Sequence, residues 1–172
     1  MEAITTLDKL SYNLSLGPGI EGYNALIGAV DLSDEELEKV VQWDDDHYQR
    51  IRFYDTRSVE GLITCWKEGQ RSPVHNYRFQ QGWVKVLRGK LKLEYFHKDN
   101  GKLKSYNSQV IEEGEIFYLN DSLGFHRFAN PGPGNTVALH FYSDKIESWQ
   151  VYDEGTGEIS EQKTRCDRSI EM

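Results

Sequence analysis

The sequence predicts a mainly β protein, a small barrel or sandwich with α-helices from its N-terminal part packed against it. Three observations lead there. Apolar positions recur with a helical period up to about residue 50 and with period two from residue 51 onward. The period-two stretches are short, rich in β-branched and aromatic residues, and separated by turn signals such as Asn100-Gly101. Finally, 172 residues without internal repeat or linker fit one domain, with helices over 1–50, a barrel over 51–157 and a tail over 158–172.

Each element has its own warrant. "TLDKLSYNLSL" predicts a weak helix stopped by Gly17-Pro18-Gly19. "SDEELEKVVQW" carries the stronger start signal, because Ser33 and Glu36 form a capping box and acids fill the first turn, where the helix dipole favours them. Strands are expected in "GLITCWKEG", "WVKVLRGKLKLEYF", "GKLKSY", "EIFYLN" and "TVALHFYS". The basic stretch "KVLRGKLK" reads as a solvated hairpin. After Tyr152 the chain is polar and reads as a surface hairpin followed by a loosely held end.

Composition removes several function classes. A net charge of -8 argues against a general nucleic-acid binder, which needs a positive face for phosphates. The two cysteines, Cys65 in an apolar run and Cys166 in the tail, are too few and too distant for a disulfide framework, so a reducing cytoplasm is expected. No run of 18 apolar residues and no basic-then-apolar leader is present, so neither membrane insertion nor secretion is expected. A monomer is expected.

The segment "GQRSPVHNYRFQQG" carries the chemistry. Gly69, His75, Tyr77 and Gly89 follow the spacing of the first cupin motif, although Tyr77 stands at the second histidine position and Gly82 at the glutamate position. Gly114, His126 and Asn130 in "GEIFYLNDSLGFHRFAN" match the second cupin motif with one extra residue in the turn. Side chains 75 and 77 share a face of a strand, and His126 from a neighbouring strand pair completes a facial set of three. Such a set, with open positions opposite, suits iron(II) and oxygen. Together with "CWKEG", "LHFYS" and "YDEGTG", these pieces resemble cysteine dioxygenase over residues 45 to 157.

That resemblance implies a cupin fold and a mononuclear non-haem Fe(2+) that binds cysteine through thiolate and amine, with both atoms of O2 passing to sulfur to give cysteine sulfinate. It makes His75 and His126 metal ligands, with Tyr77 at the remaining ligand position. Arg57 in "FYDTRS" is the expected partner of the substrate carboxylate, with Tyr54 lining the same region. The family's Ser-x-His-x-Tyr series matches Ala138, His140 and Tyr142, so Tyr142 and His140 are the catalytic pair and the serine is missing. Gly82 replaces a cysteine that in animal members crosslinks to the tyrosine, so no thioether is expected on Tyr142. Trp66 reads as core or as pocket lining, while His47 and His97 read as solvated.

Tyr77 is the main departure. Ionising a phenol of pKa about 10 at pH 7 costs about 4 kcal/mol, which ferric iron supplies more readily than ferrous. Three outcomes follow: phenolate ligation biased toward ferric iron, a phenol swung away from a two-histidine site, or loss of the metal. The functional readings are therefore a dioxygenase of L-cysteine or of 3-mercaptopropionate, and a metal-poor cupin that binds a small thiol or amino acid without turning it over.

Overall fold

The structure is a computed structural model and describes residues 2–77 and 81–170. Residues 78–80 of the ligand-bearing segment and residues 171–172 of the tail lie outside the described residues.

Three short helices precede the strands. Helix α1 (Leu7–Ser15) is capped by Thr6, whose hydroxyl accepts from Lys9 N, and it buries Leu7, Leu10 and Leu14 along one face. Helix α2 (Gly22–Gly28) was not foreseen from the sequence; it buries Leu26 and Ile27. Helix α3 (Asp34–Glu38) starts as expected, with Ser33 Oγ accepting from Glu36 N at 3.2 Å. Only half of the capping box forms, because Glu36 instead accepts from Leu7 N at 3.2 Å and ties α3 to the start of α1. The helix is also shorter than expected: it stops before the Val40-Val41 pair, whose branched side chains disfavour a helical turn, and Val40 and Trp43 pack into the helix–sheet core.

Among the described residues twelve strands follow. They are β1 (Gln49–Asp55), β2 (Glu60–Trp66), β3 (Val74–Asn76), β4 (Gly82–Arg88), β5 (Lys90–Asp99) and β6 (Lys102–Glu112). After these come β7 (Ile116–Leu119), β8 (His126–Ala129), β9 (Thr136–Tyr142), β10 (Ser148–Tyr152), β11 (Ile159–Lys163) and β12 (Arg168–Ser169). They form two six-stranded sheets, ordered β12-β1-β2-β9-β4-β7 and β11-β10-β3-β8-β5-β6. The mainly β barrel expected from the sequence is the one observed.

The first sheet is covered on both sides, which is why β2 and β9 are buried along their whole length and read as near-continuous apolar runs. Its outer face sends Ile51, Phe53, Ile63, Leu139 and Phe141 into one cluster with the leucines of the helices. Its inner face sends Leu62, Val84, Val86 and Ala138 into a second cluster with Leu91, Leu93 and Phe128 from the opposite sheet. The site occupies that second interior.

Two expectations need correction. "KVLRGKLK" is not a solvated hairpin: the chain crosses from one sheet to the other at Gly89, where φ is 77° and an added Cβ would lie 2.8 Å from Asn135 O, which excludes a side chain. Lys85 there is buried and donates to the carbonyls of Gly28 and Val30, so its charge anchors α2. Nor is the tail loosely held among the described residues. β11 pairs with β10 as the expected hairpin, but β12 then adds a parallel strand beside β1, and Arg50 N donates to Asp167 at 2.8 Å.

Since α1 docks through fully buried leucines, Leu10→Ala should lower unfolding stability by about 2–5 kcal/mol, read as a reduced urea midpoint. A change under about 0.5 kcal/mol would show that the helices are not part of the barrel's cooperative unit.

Candidate active site

The two imidazoles come from neighbouring strands. β3 and β8 run antiparallel with His75 and His126 as direct register partners, so both side chains leave the same face side by side. Their ring centroids are 4.4 Å apart, and each residue is 1% exposed. Local backbone fixes both rings. His75 Nδ1–H donates to Pro73 O at 2.8 Å, and His126 Nδ1–H donates to Gly124 O at 3.0 Å. Gly124 delivers that carbonyl from φ 63°, ψ -147°, a conformation that glycine alone adopts at low cost.

With Nδ1 protonated, each Nε2 carries a lone pair. His126 Nε2 is buried and has no partner among the described residues, while His75 Nε2 accepts from Tyr77 Oη at 3.0 Å. Burial lowers the His126 pKa to about 4 and holds that of His75 well below the usual range, with the neighbouring His126 adding to the effect. Both rings are thus neutral at pH 7, the form that binds a metal.

Tyr77 does not point away. It is buried, and its hydroxyl links His75 to Tyr142 Oη at 3.3 Å. Tyr142 Oη, which donates to Tyr77, in turn accepts from His140 Nδ1–H at 3.2 Å. These two residues share the inner face of β9, and Ala138 on that face offers His140 no hydroxyl. His140 Nε2 is consequently buried without a partner, and its ring stands edge-on to Phe128. Burial first, then the charge of Arg50, lowers the His140 pKa to about 3. Across the sheet, Tyr142 is flanked by Glu60 on β2 and Gly82 on β4. A Cβ at Gly82 would lie 2.7 Å from the Tyr142 ring, so this tyrosine fills the space a side chain there would need.

The guanidinium in the barrel belongs to Arg50, not Arg57. Arg57 is exposed in the turn between β1 and β2 and lines a surface cavity with Asp144 and Ile146. Tyr54 is likewise misplaced. A bulge between Arg52 and Tyr54 sets Tyr54 opposite Gly61 and sends its ring to the helix-facing core. Tyr48, just before β1, and Arg50, its second residue, take the inner face instead. Arg50 is 3% exposed, sits 5.6 Å from the Trp149 ring centre, and has a buried Nε with no acceptor. Burial opposes its charge, but the phenols of Tyr48, Tyr142 and Tyr77 and the Glu60 carboxylate outweigh that and raise its pKa. Trp66 lies in the interior as backing: it stacks on Tyr48 at 3.9 Å, and its Nε1 donates to Thr64 Oγ1. Trp149, which the sequence did not single out, covers His75 with a centroid distance of 4.5 Å. His47 is half-buried against Asp44 and Asp167, and His97 is exposed beside Tyr106.

Among the described residues no group of three histidine, cysteine, aspartate or glutamate side chains stands close enough to hold a metal. The donor set is two histidines and a phenol. It suits a borderline transition metal: two neutral imidazoles stand side by side with centroids 4.4 Å apart, an oxygen donor lies 3.0 Å from the Nε2 of one, and the Nε2 of the other is unsatisfied in a dry interior.

The cysteine dioxygenase type I family matches residues 20–155. The chain belongs to that family. It is accordingly an oxidoreductase of the dioxygenase class. A zebrafish (Danio rerio) cysteine dioxygenase type 1 is 29% identical over 91% of this chain and 80% of its own length. The human protein of that name is 27% identical over 80% and 72% respectively. Two solved structures share the fold. A Thermus thermophilus protein has a TM-score of 0.52 at 11% identity, covering 66% of this chain and 97% of its own. A Klebsiella pneumoniae protein with a double-stranded β-helix domain has a TM-score of 0.51 at 15% identity, covering 74% and 95%. No helix among the described residues is long and apolar enough to cross a membrane.

His140 gives a pH prediction for the metal-free protein. Its folded pKa of about 3 lies below the unfolded value of 6.5, so the unfolded chain takes the proton first. Its contribution is complete above pH 6.5 and is lost as pH falls toward 3. Denaturant midpoints should therefore drop between pH 7 and pH 4 and drop less in His140→Phe; equal slopes would contradict a buried neutral imidazole.

Proposed function

We propose that this chain oxidises L-cysteine to cysteine sulfinate at one ferrous ion held by His75, His126 and Tyr77. The observation that carries this reading is the unsatisfied, fully buried Nε2 of His126 beside the Nε2 of His75. An orphaned acceptor in a dry interior is costly unless something binds it. Tyr77 supports the third position, since its hydroxyl lies within 3.0 Å of His75 Nε2. Ferrous iron bound there supplies the one-electron chemistry that lets dioxygen react with a thiolate.

The chain's own residues do the rest. Arg50 receives the substrate carboxylate through its unpartnered Nε, in a charge-assisted bond strengthened by the apolar surroundings. Tyr142 holds its hydroxyl proton toward the ligand set because His140 Nδ1–H donates to its oxygen. Without a side chain at Gly82 it carries no thioether. Trp149, Trp66 and Phe128 line the interior and keep bulk water out. The overall change is RSH + O2 → RSO2H, with sulfur oxidised and dioxygen reduced. The site works in a monomer in the cytoplasm, where two unpaired cysteines stay reduced.

A second reading has its own observation. The Tyr77–His75 hydrogen bond occupies one of the two imidazole lone pairs, which favours a metal-poor barrel that binds a small thiol without turning it over. Iron content after gentle purification, with oxygen uptake and sulfinate formation on adding L-cysteine, separates the two. Iron near one per chain with stoichiometric sulfinate is expected, and iron-free protein that cannot be reconstituted would overturn the dioxygenase reading. Arg50→Ala should raise KM for L-cysteine by about tenfold to a hundredfold, the loss of a charged hydrogen bond, while Arg57→Ala leaves it unchanged. The reverse pattern would show that the carboxylate site has been misplaced.

A further inference from the structure

Trp149 belongs at once to the interior and to a cavity at the surface. It lies on β10, two residues before Val151, the register partner of His75, and on the same face of that strand. Its ring stands 4.5 Å from the His75 ring and 6.1 Å from that of Tyr77, and the Arg50 guanidinium lies 5.6 Å from its centre. The same residue lines a cavity of about 360 Å³, together with Arg57, Asp144, Glu147 and Glu161. Ile146, also on that lining, is 2% exposed and packs in the interior cluster. One indole therefore contacts His75 and also walls a space large enough for a small ligand.

Nothing polar pins that indole. Trp149 is 7% exposed, and its Nε1 is buried without a hydrogen-bond partner among the described residues, whereas a buried tryptophan N–H ordinarily finds one. Turning the ring breaks only apolar contacts. A second cavity reaches the interior at Tyr48 and Pro73, but its barrier is held: Tyr48 is stacked on Trp66 at 3.9 Å and covered by Arg165 at 5.2 Å, and the Pro73 carbonyl holds His75 Nδ1.

We propose that the cavity walled by Trp149 is the port through which a thiol reaches His75, and that Trp149 is a specificity-determining residue whose indole limits the size of what enters. Rings 4.5 Å apart leave no room for a guest between them, so the indole turns aside for each passage. Naming the guest a thiol rests on the dioxygenase reading; the passage rests on Trp149.

The test reads access to His75 in metal-free protein, independently of turnover. Diethyl pyrocarbonate acylates neutral imidazole, and peptide mass spectrometry follows each histidine separately. Trp149→Ala should speed modification of His75 by about tenfold or more, because the closed state is lost, while exposed His97 keeps its rate. Trp149→Phe should stay close to wild type. Leu91→Ala opens a hole in the same interior cluster but off the cavity lining, and should leave His75 slow. No acceleration in Trp149→Ala, or an equal one in Leu91→Ala, would overturn the gate. In iron-loaded anaerobic protein, Trp149→Ala should also narrow the gap in association rate between L-cysteine and the bulkier L-penicillamine; an unchanged gap would overturn the size limit. If Trp149→Ala does not fold, labels decide. In Cys166→Ser protein, where Cys65 is buried, a bulky maleimide on Arg57→Cys should slow His75 modification, and one on Asp46→Cys in the second cavity should not. The reverse pattern, or no effect from either label, would overturn the port. Iron-loaded protein that binds no L-cysteine, with the His75 rates as expected, would defeat the dioxygenase reading and uphold the passage.

Discussion

The site depends on two backbone carbonyls. Pro73 O and Gly124 O each take the Nδ1 proton of a histidine two residues further along, and this fixes two imidazole tautomers on neighbouring strands. Every later feature follows from that constraint. The rings are neutral because they are buried, they lie side by side because β3 and β8 pair them directly, and Tyr77 meets His75 because it lies two residues further along. This is the arrangement by which proteins commonly orient a metal-binding histidine, with an acceptor on the far nitrogen setting the near one.

The double burial of the first sheet makes the inner face rigid enough to hold polar groups. Helices cover its outer face with leucine, so β2 and β9 lose no ladder bonds to water on either side. Against that backing the inner face carries Arg50, Glu60, His140 and Tyr142, four polar residues in a wall otherwise made of Leu62, Val84, Val86 and Ala138. Burying several polar groups together costs stability, and the orphaned atoms of Arg50, Glu60, His126 and His140 mark where that cost is concentrated.

Much of this was legible in the sequence. The ligand strand could be read because period-two alternation puts His75 and Tyr77 on one face, and "NDSLGFHR" carries His126 in a distinctive string. Spacing also placed His140 and Tyr142 together. The sequence pointed to Arg57 where the structure buries Arg50, and for a definite reason. Placing the start of the strands at residue 51 left Tyr48 and Arg50 in the helical part, and the bulge between Arg52 and Tyr54 cannot be seen in an apolar pattern. The Tyr-x-Arg spacing at 48 and 50 was the available signal. Trp149 gave none, since its place over His75 appears only in the fold. The tail's last strand escaped because it is two residues long and exposed, with its pairing partner more than a hundred residues away.

The most direct measurement is X-ray absorption on anaerobically iron-loaded protein. Convergence of the two imidazoles requires nitrogen scatterers at about 2.1 Å with the outer-shell pattern of two rings. One ring should disappear in His126→Ala, and one oxygen scatterer in Tyr77→Phe. Spectra without imidazole scattering, or identical in wild type and His126→Ala, would contradict the account at its base.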